Sequence, residues 1–224
     1  MDALIIGAGG HGKVVLDILR TAGMHRPVGF LDADPSLSGH VVSGLPVLGQ
    51  INLLPKLRQK ARGVVIAIGD NRTRLHYAGL LRQHEFELLG AIHPSAVVSA
   101  TARLGQGVVV AAGAVVGTDT AVGDCAIINT SAIVDHECQL DSGVHVCPGA
   151  ALAGRVHVQE MAFLGLGCRI IQCLTIGRNA VIGAGAVVIR DVPDGVTVVG
   201  VPAQIIKSSP LDASADRIAE LCKI

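Results

Sequence analysis

The residues best suited to chemistry in this sequence stand together in the stretch IVDHEC, residues 133–138. Asp135, His136 and Glu137 occur there within a long tract of small and aliphatic residues. An imidazole titrates near neutral pH, so His136 can accept a proton from a nucleophile. Glu137, with help from Asp135, would stabilise the imidazolium and raise its basicity. The three residues predict a general base suited to acyl transfer from a thioester to an amine or a hydroxyl.

The element that must position these residues is a repeat with a period of six residues. From Ala91 to Val192 the sequence divides into consecutive units of six without an insertion, and the second place is always Ile, Val or Leu. This period predicts a parallel β-solenoid rather than a helix or an alternating strand. Three units close one triangular coil, and coils stack about 4.8 Å apart. Cys138 and Cys168 fall at the small sixth place, which predicts buried thiols.

The solenoid spacing relates two further residues to His136. Gly154 follows one full coil later in the sequence, so we expect its backbone N–H directly above the imidazole. His145 follows after half a coil, which places it on another face, too far to meet His136 within one chain. A three-fold trimer could bring a neighbour's His145 to this cleft. Gly154 and His145 would then donate to the oxyanion of the tetrahedral intermediate.

The first 90 residues have a different pattern, in which buried strands alternate with amphipathic helices. This alternation predicts a small doubly wound α/β unit. A strand at 2–7 leads into a helix through a G-x-G-x-x-G turn. Asp32 follows the last glycine of this turn at the sequence spacing of an acidic residue that binds a ribose hydroxyl. The unit is too short for both halves of an NAD domain, which favours one nucleotide with its diphosphate. NAD binding and a plain tight turn remain alternatives.

The end of the third predicted strand carries a second polar group. The stretch GDNRTR supplies Gly69, Asn71 and Arg74 at the sheet edge where open α/β folds bind ligands. Among ligands with one nucleotide and its diphosphate a nucleotide-sugar is favoured, and we expect these residues to take part in binding it. The alternative for Arg74 is a solvated charge on the following helix.

Composition excludes several classes of protein. The chain has 224 residues with 18 basic and 18 acidic side chains, so charge gives no case for nucleic acid or an anionic membrane. Mean hydropathy is +0.54, yet no apolar run approaches the roughly 20 residues of a spanning helix. The N-terminus has no signal-peptide pattern. Six cysteines occur without CxxC or zinc spacing. We therefore expect a cytoplasmic protein with reduced thiols, no metal and no membrane insertion.

Several stretches together resemble the sugar acetyltransferases of the PglD/NeuD type, over about residues 1–207. They are GAGGHG, FLDADP, IGDNRTR, HPSA, VDHEC, GVHVCPGAALAG and GAGAVVIRDVPDGVTVVGVPAQIIK. The resemblance implies a left-handed β-helix enzyme that transfers acetyl from acetyl-CoA to amino-sugars or sialic acids. It also implies that His136 is the base, that Glu137 tunes it, and that His145 and Gly154 contact the acetyl group.

The same resemblance implies where both substrates bind. The nucleotide-sugar is expected at Asp32, at Gly69 and along the glycine-rich turn, here Gly9, Gly10 and His11. Members often have Asp-Asp where this chain has Asp-Ala-Asp, so only Asp32 carries over. Acetyl-CoA is expected along the late coils, near Leu166, Gly183 and Ala184. Gln204 stands where Lys or Arg is common, which leaves Lys207 as the nearest cation for the 3′-phosphate.

The sequence thus predicts a small Rossmann-like α/β domain at 1–90, a left-handed parallel β-helix at 91–207 and a short helical tail at 208–224. The predicted activity is acetyl-CoA-dependent N-acetylation of a nucleotide-linked 4-amino-sugar for a bacterial surface glycan, by a homotrimer with sites between subunits. O-acetylation of sialic acid or a related sugar is the alternative reaction. A regulatory nucleotide-sensing module and a bare scaffold are the alternatives without catalysis.

Overall fold

The computed structural model describes residues 1–208, and the predicted tail from 209 onward lies outside them. The N-terminal sheet consists of β1 (Asp2–Ile6), β2 (Arg26–Leu31), β3 (Val41–Val42), β4 (Leu45–Gly49), β5 (Gly63–Ile66) and β6 (Glu87–Leu88). The helices are α1 (Gly10–Ala22), α2 (Leu54–Leu57) and α3 (Asn71–Gln83), with 3₁₀ turns at Pro35–Leu37 and Ile51–Leu53. The strand order is β3-β4-β2-β1-β5-β6, parallel except for the β3–β4 hairpin.

The sheet has a reversal of strand order beside β1. Strand β1 pairs with β2 on one side and with β5 on the other, so the crevice outside their carboxyl ends is the expected ligand position. Gly7 leaves β1 with φ of +102°. A Cβ on Gly12 would lie 2.1 Å from the Gly7 carbonyl oxygen. Glycine at these two positions therefore lets α1 begin tightly against the end of β1.

The solenoid is built from two-residue strands at intervals of six. They are β7 (Ala91–Ile92), β8 (Val97–Val98), β9 (Arg103–Leu104), β10 (Val109–Val110), β11 (Val115–Val116), β12 (Ala121–Val122), β13 (Ile127–Ile128), β14 (Ile133–Val134), β15 (Gln139–Leu140), β16 (His145–Val146), β17 (Ala151–Leu152), β18 (His157–Val158), β19 (Phe163–Leu164), β20 (Arg169–Ile170), β21 (Thr175–Ile176), β22 (Val181–Ile182) and β23 (Val187–Val188). Strands β24 (Val196–Val199) and β25 (Gln204–Ser208) form an antiparallel end.

These strands form three faces. The first face contains β7, β10, β13, β16, β19, β22, β24 and β25; the second contains β8, β11, β14, β17, β20 and β23; the third contains β9, β12, β15, β18 and β21. Paired residues lie one coil apart in the sequence, as Val109 with Ile127 and Ile127 with His145. This register confirms the predicted fold class, an α/β domain followed by a left-handed parallel β-helix. Cys138 and Cys168 are buried in the core, where desolvation raises the pKa of Cys168 to about 12.

The corners of the solenoid share one backbone conformation, which positions their side chains. From Gly107 to Gly185, the fifth place of every unit of six has a positive φ. From Cys125 to Gly185 the N–H of this residue bonds to the fourth-place carbonyl of the preceding coil, as Glu137 N–H to Thr118 O at 2.8 Å. Fourth- and fifth-place residues therefore stack in columns, with one residue of each kind from every coil.

The first face also carries the N-terminal domain. Val109, Ala111 and Ile127 share one buried cluster with apolar residues of α1 and β1. Burial of apolar surface from both parts in one core makes the domain and the solenoid a continuous unit.

Candidate active site

His136 lies at the corner where β14 of the second face turns into β15 of the third. Its side chain is 49% exposed, and Nδ1 is 3.0 Å from Oε2 of Glu137. A carboxylate only accepts, so in the neutral ring Nδ1 carries the proton and Nε2 keeps its lone pair. This arrangement is the one that a general base at Nε2 requires.

Gly154 lies directly against His136, as the spacing of one coil predicts. A Cβ on Gly154 would lie 2.4 Å from Cε1 and 2.5 Å from Nε2 of the imidazole. The neighbouring Ala153 and Arg155 N–H groups bond to carbonyls of adjacent coils, whereas within residues 1–208 the Gly154 N–H has no acceptor. An unpaired N–H beside the proton acceptor can take an oxyanion.

Glu137 has a second partner that the sequence reasoning missed. The Nε of Arg155, one coil above, donates to the same Oε2 at 3.0 Å. The hydrogen bonds from His136 and then Arg155 hold the pKa of Glu137 below its ordinary value. Glu137 and Arg155 occupy the same place in adjacent coils, and that shared place was the signal that could have found this contact.

Asp135 bonds to the backbone of its own turn. Its Oδ1 accepts the backbone N–H of His136 at 2.8 Å. The Oδ1 atom therefore holds the turn, and the assistance of Asp135 to Glu137 stays a prediction.

His145 lies on the first face, away from the His136 corner, as its spacing predicts. It is 7% exposed, with Nδ1 3.3 Å from Gly69 O and Nε2 3.3 Å from the Asn129 amide nitrogen. Because a carbonyl only accepts and an amide nitrogen only donates, the ring is the Nδ1–H tautomer with both nitrogens occupied. Both ring nitrogens have partners within one chain, so the contact of His145 with the acetyl group at a neighbour's cleft stays a prediction.

A cavity of about 380 Å³ opens in the N-terminal domain at the carboxyl ends of β1 and β5. Its lining includes five of the predicted nucleotide-sugar residues, namely Gly9, Gly10, His11, Asp32 and Gly69. It also includes Ile51, Thr73 and Tyr77, which sequence reasoning missed. A Cβ on Gly9 or Gly10 would meet no atom within 4 Å, so the protein's own packing does not demand glycine there. A larger open groove of about 590 Å³ on the third face contains none of these residues.

Charge and hydrogen bonding define the wall of this cavity. Asp32 accepts the N–H groups of Ala8 at 2.7 Å and Asp34 at 2.9 Å, which holds the glycine-rich turn to the end of β2. The buried Nε2 of His11 has no hydrogen-bond partner among the described residues. Burial, and then the charge of Arg74, lowers the pKa of His11 to about 4 and that of His145 to about 3. Both rings are therefore neutral at physiological pH.

Arg74 is fully buried and joins the two domains. Its five N–H groups donate to Cys125 O (2.7 Å), Ile68 O (2.9 Å), Gly69 O (3.0 Å), Asn71 Oδ1 (2.7 Å) and Gly143 O (2.9 Å). No donor is left for a ligand, so the prediction of direct binding is wrong, and so is the alternative of a solvated charge.

Asn71 is also used within the protein. It is 4% exposed, and its amide nitrogen donates to Met161 O at 2.9 Å and Ala162 O at 3.2 Å. Direct ligand binding by Asn71 is therefore wrong as well, and with Arg74 it anchors the loop that carries Gly69.

The residues predicted for acetyl-CoA occupy another edge of the solenoid. Leu166 and Ala184 are exposed fourth-place residues, one coil apart, at the corner between the first and second faces. Gly183 is adjacent, and a Cβ there would lie 2.6 Å from Val199 Cγ1. Lys207 is exposed on β25. The second face separates this corner from His136. One chain therefore does not bring together the residues predicted for catalysis, for the nucleotide-sugar and for acetyl-CoA.

Residues 1–208 lack two kinds of feature. No helix there is long and apolar enough to cross a membrane. No group of three or more His, Cys, Asp or Glu side chains there could hold a metal ion.

The chain is similar in sequence to proteins of known activity. The family model described as the PglD N-terminal domain matches residues 2–80. GDP-perosamine N-acetyltransferase of Escherichia coli O157:H7 is 32% identical over 217 residues, which cover 92% of this chain and 96% of that protein. The chain belongs to the PglD-type sugar acetyltransferases. It is accordingly an acetyltransferase.

Solved structures of this family superpose over nearly the whole described chain. A histidine-to-alanine variant of GDP-perosamine N-acetyltransferase from Caulobacter crescentus, in complex with CoA and GDP-perosamine, is 48% identical with a TM-score of 0.89. It covers 93% of this chain and 98% of its own. The acetyltransferase domain of PglB from Neisseria gonorrhoeae, in complex with acetyl coenzyme A, is 40% identical with a TM-score of 0.87, covering 92% and 98%.

Proposed function

We propose that this enzyme transfers acetyl from acetyl-CoA to the amino group of a nucleotide-linked 4-amino-sugar, in the cytoplasm and for a surface glycan. The observation that carries the proposal is the His136 corner, where Nε2 is free to accept a proton beside the unpaired N–H of Gly154. The full-length similarity to GDP-perosamine N-acetyltransferases supports an amine on a nucleotide-sugar as the acceptor.

The proposed reaction is a direct attack on the thioester. The sugar amine forms a C–N bond with the acetyl carbonyl carbon while His136 Nε2 takes the amine proton. The Gly154 N–H stabilises the oxyanion, and collapse breaks the C–S bond, after which the proton passes to the CoA thiolate. General base catalysis of this kind contributes about 10²–10⁴ in rate, and one oxyanion donor contributes about 3–4 kcal/mol.

The nucleotide-sugar is proposed to lie in the cavity at the ends of β1 and β5. Gly9 and Gly10 leave open space at the N-terminus of α1, where backbone N–H groups and the helix dipole favour a diphosphate. Asp32 borders the same space and has remaining lone pairs for a ribose hydroxyl. His11 and Gly69 would face the sugar.

We further propose a homotrimer, because the second face has an apolar surface. Val97 is 62% exposed and Ile133 44% exposed there, whereas the corresponding third-face residues, Arg103 and Gln139, are polar. In such a trimer the second faces of three subunits surround the three-fold axis. The corner between the first and second faces of one subunit, which carries Leu166, then lies beside the corner between the second and third faces of the next subunit, which carries His136. The neighbour's His136 would then meet both substrates, namely acetyl-CoA bound at Leu166 and Ala184 and the sugar that extends from the cavity beside the first face.

The test is release of free thiol from acetyl-CoA in three mixtures: with GDP-perosamine, with sialic acid and with no acceptor. Turnover with the amine alone supports the proposal, turnover with sialic acid supports O-acetylation, and binding without turnover supports a regulatory module. His136→Asn should lower kcat by about 10²–10⁴ while KM stays similar. His157→Asn is the matched control, because His157 also pairs with a carboxylate, Asp141, but on the third face. Normal turnover by His136→Asn would exclude the proposed base.

A further inference from the structure

One oxygen of Glu137 joins two side chains. Oε2 accepts from Nδ1 of His136 and from Nε of Arg155, each at 3.0 Å. The backbone N–H of Arg155 also donates to the carbonyl of His136 at 2.9 Å. Arg155 therefore holds the turn through its main chain and the carboxylate through its side chain.

Without Arg155 little would restrain the Glu137 carboxylate. The Glu137 side chain is 46% exposed, and its backbone, at φ of +57°, fixes the direction of Cβ but not the outer torsions. Arg155 is held one coil above Glu137 by its backbone N–H, which bonds to the His136 carbonyl at 2.9 Å. A charged donor held from above in this way fixes the position of a carboxylate oxygen.

We propose that Arg155 is a positioning residue that keeps Glu137 on Nδ1 of His136 and thereby keeps Nε2 as the proton acceptor. The protonated nitrogen of a neutral imidazole is decided by the hydrogen bond that the ring makes. If the carboxylate rotates into solvent, the proton can occupy Nε2, and that tautomer cannot accept the amine proton. The catalytic consequence rests on the proposed function; the tautomer does not.

The experiment compares Arg155→Gln, Arg155→Lys and wild type in the intact protein. Nitrogen-15 NMR of the imidazoles, assigned with His136→Asn, should report the Nδ1–H tautomer for His136 in wild type. In Arg155→Gln it should report a mixture, with kcat lowered about 3- to 30-fold and both KM values unchanged. Arg155→Lys should restore part of both signals. Arg178→Gln is the control, because Arg178 also pairs with a glutamate, Glu160, on the third face.

An unchanged His136 tautomer in a folded Arg155→Gln protein would overturn the inference, whatever happens to turnover. So would a raised KM for acetyl-CoA with unchanged kcat, since that result assigns Arg155 to binding. The proposed function fails by a different result, full turnover in His136→Asn, and the NMR comparison remains decisive in that case.

Discussion

At the scale of single residues, the properties of His136 depend on what lies in the next coil. Gly154 leaves room for the imidazole and offers an N–H, and Arg155 reaches down to the carboxylate partner. Gly154 and Arg155 lie 18 residues after His136 and Glu137. They contact them because three units of six residues complete one coil and stack residue 154 on 136 and residue 155 on 137. A small change at residue 154 or 155 therefore changes the geometry around the His136 imidazole.

Gly154→Ala tests this contact. The added Cβ would lie 2.4 Å from the imidazole, so His136 must move, and we expect kcat to fall about 10- to 100-fold. Folding should persist, because φ at Gly154 is not in the left-handed region.

Gly79→Ala in α3 is the control, since no atom lies within 4 Å of its added Cβ. Thiol release and thermal unfolding measure the two effects. Equal turnover in Gly154→Ala and wild type would mean that the imidazole does not need its place against residue 154.

At the scale of elements, the loop between β5 and α3 is fixed to the solenoid by Arg74. Its guanidinium satisfies carbonyls from Cys125, Gly143, Ile68 and Gly69. The charge is desolvated, which lowers the pKa of Arg74 to about 10. The cavity at the carboxyl ends of β1 and β5 therefore takes its position relative to the coils from the buried contacts of Arg74 and Asn71.

Arg74→Met should destabilise the protein by about 3–5 kcal/mol, because it leaves several buried carbonyls without a donor. Arg82→Gln is the matched control. Arg82 lies on the same helix and also reaches the solenoid, but its ion pair with Asp124 is exposed, so its loss should cost less than about 1 kcal/mol. Urea unfolding measures both, and similar losses in the two variants would contradict the assignment.

The neutral histidines at this domain interface predict acid sensitivity. The folded pKa of His11 is about 4, against 6.5 for a free imidazole, so the unfolded chain binds protons first as pH falls. The free energy of unfolding should therefore decrease between about pH 6.5 and 4, by about 3 kcal/mol from His11. His145, with a pKa of about 3, should extend the loss to lower pH.

Urea unfolding from pH 7 to 4 measures this loss. The double variant His11→Asn, His145→Gln should show a shallower decrease than wild type. Identical slopes would mean that these rings do not account for the acid sensitivity.

At the scale of the whole molecule, the proposed parts of the site lie on separate edges of one chain. The corners that carry His136 and Leu166 stand on opposite sides of the second face, and the cavity proposed for the nucleotide-sugar lies beside the first face. The proposed trimer would bring these edges together, because the contacts of a cyclic assembly join different edges of neighbouring copies. The apolar character of the second face gives such an assembly its driving force.

Ile133→Glu should therefore abolish the trimer and the activity together, since it adds a charge to the centre of the second face. Gln139→Glu, at the same place of the next unit but on the third face, should keep both. Sedimentation velocity and thiol release measure the pair. A trimeric and active Ile133→Glu protein would mean that the subunits meet through another face.

The sequence alone determined the coil register, and with it the meeting of His136 and Gly154, because solenoid contacts recur once in every coil. It also determined the strand–turn–helix that carries Gly9 and Gly10, since local glycine spacing encodes that turn. Only the tertiary structure decided the roles of Arg74, Asn71 and His145. Arg74 bonds to Gly143 and His145 faces Gly69 across 69 and 76 residues. Contacts between two packed domains follow no period, so no spacing rule can reveal them.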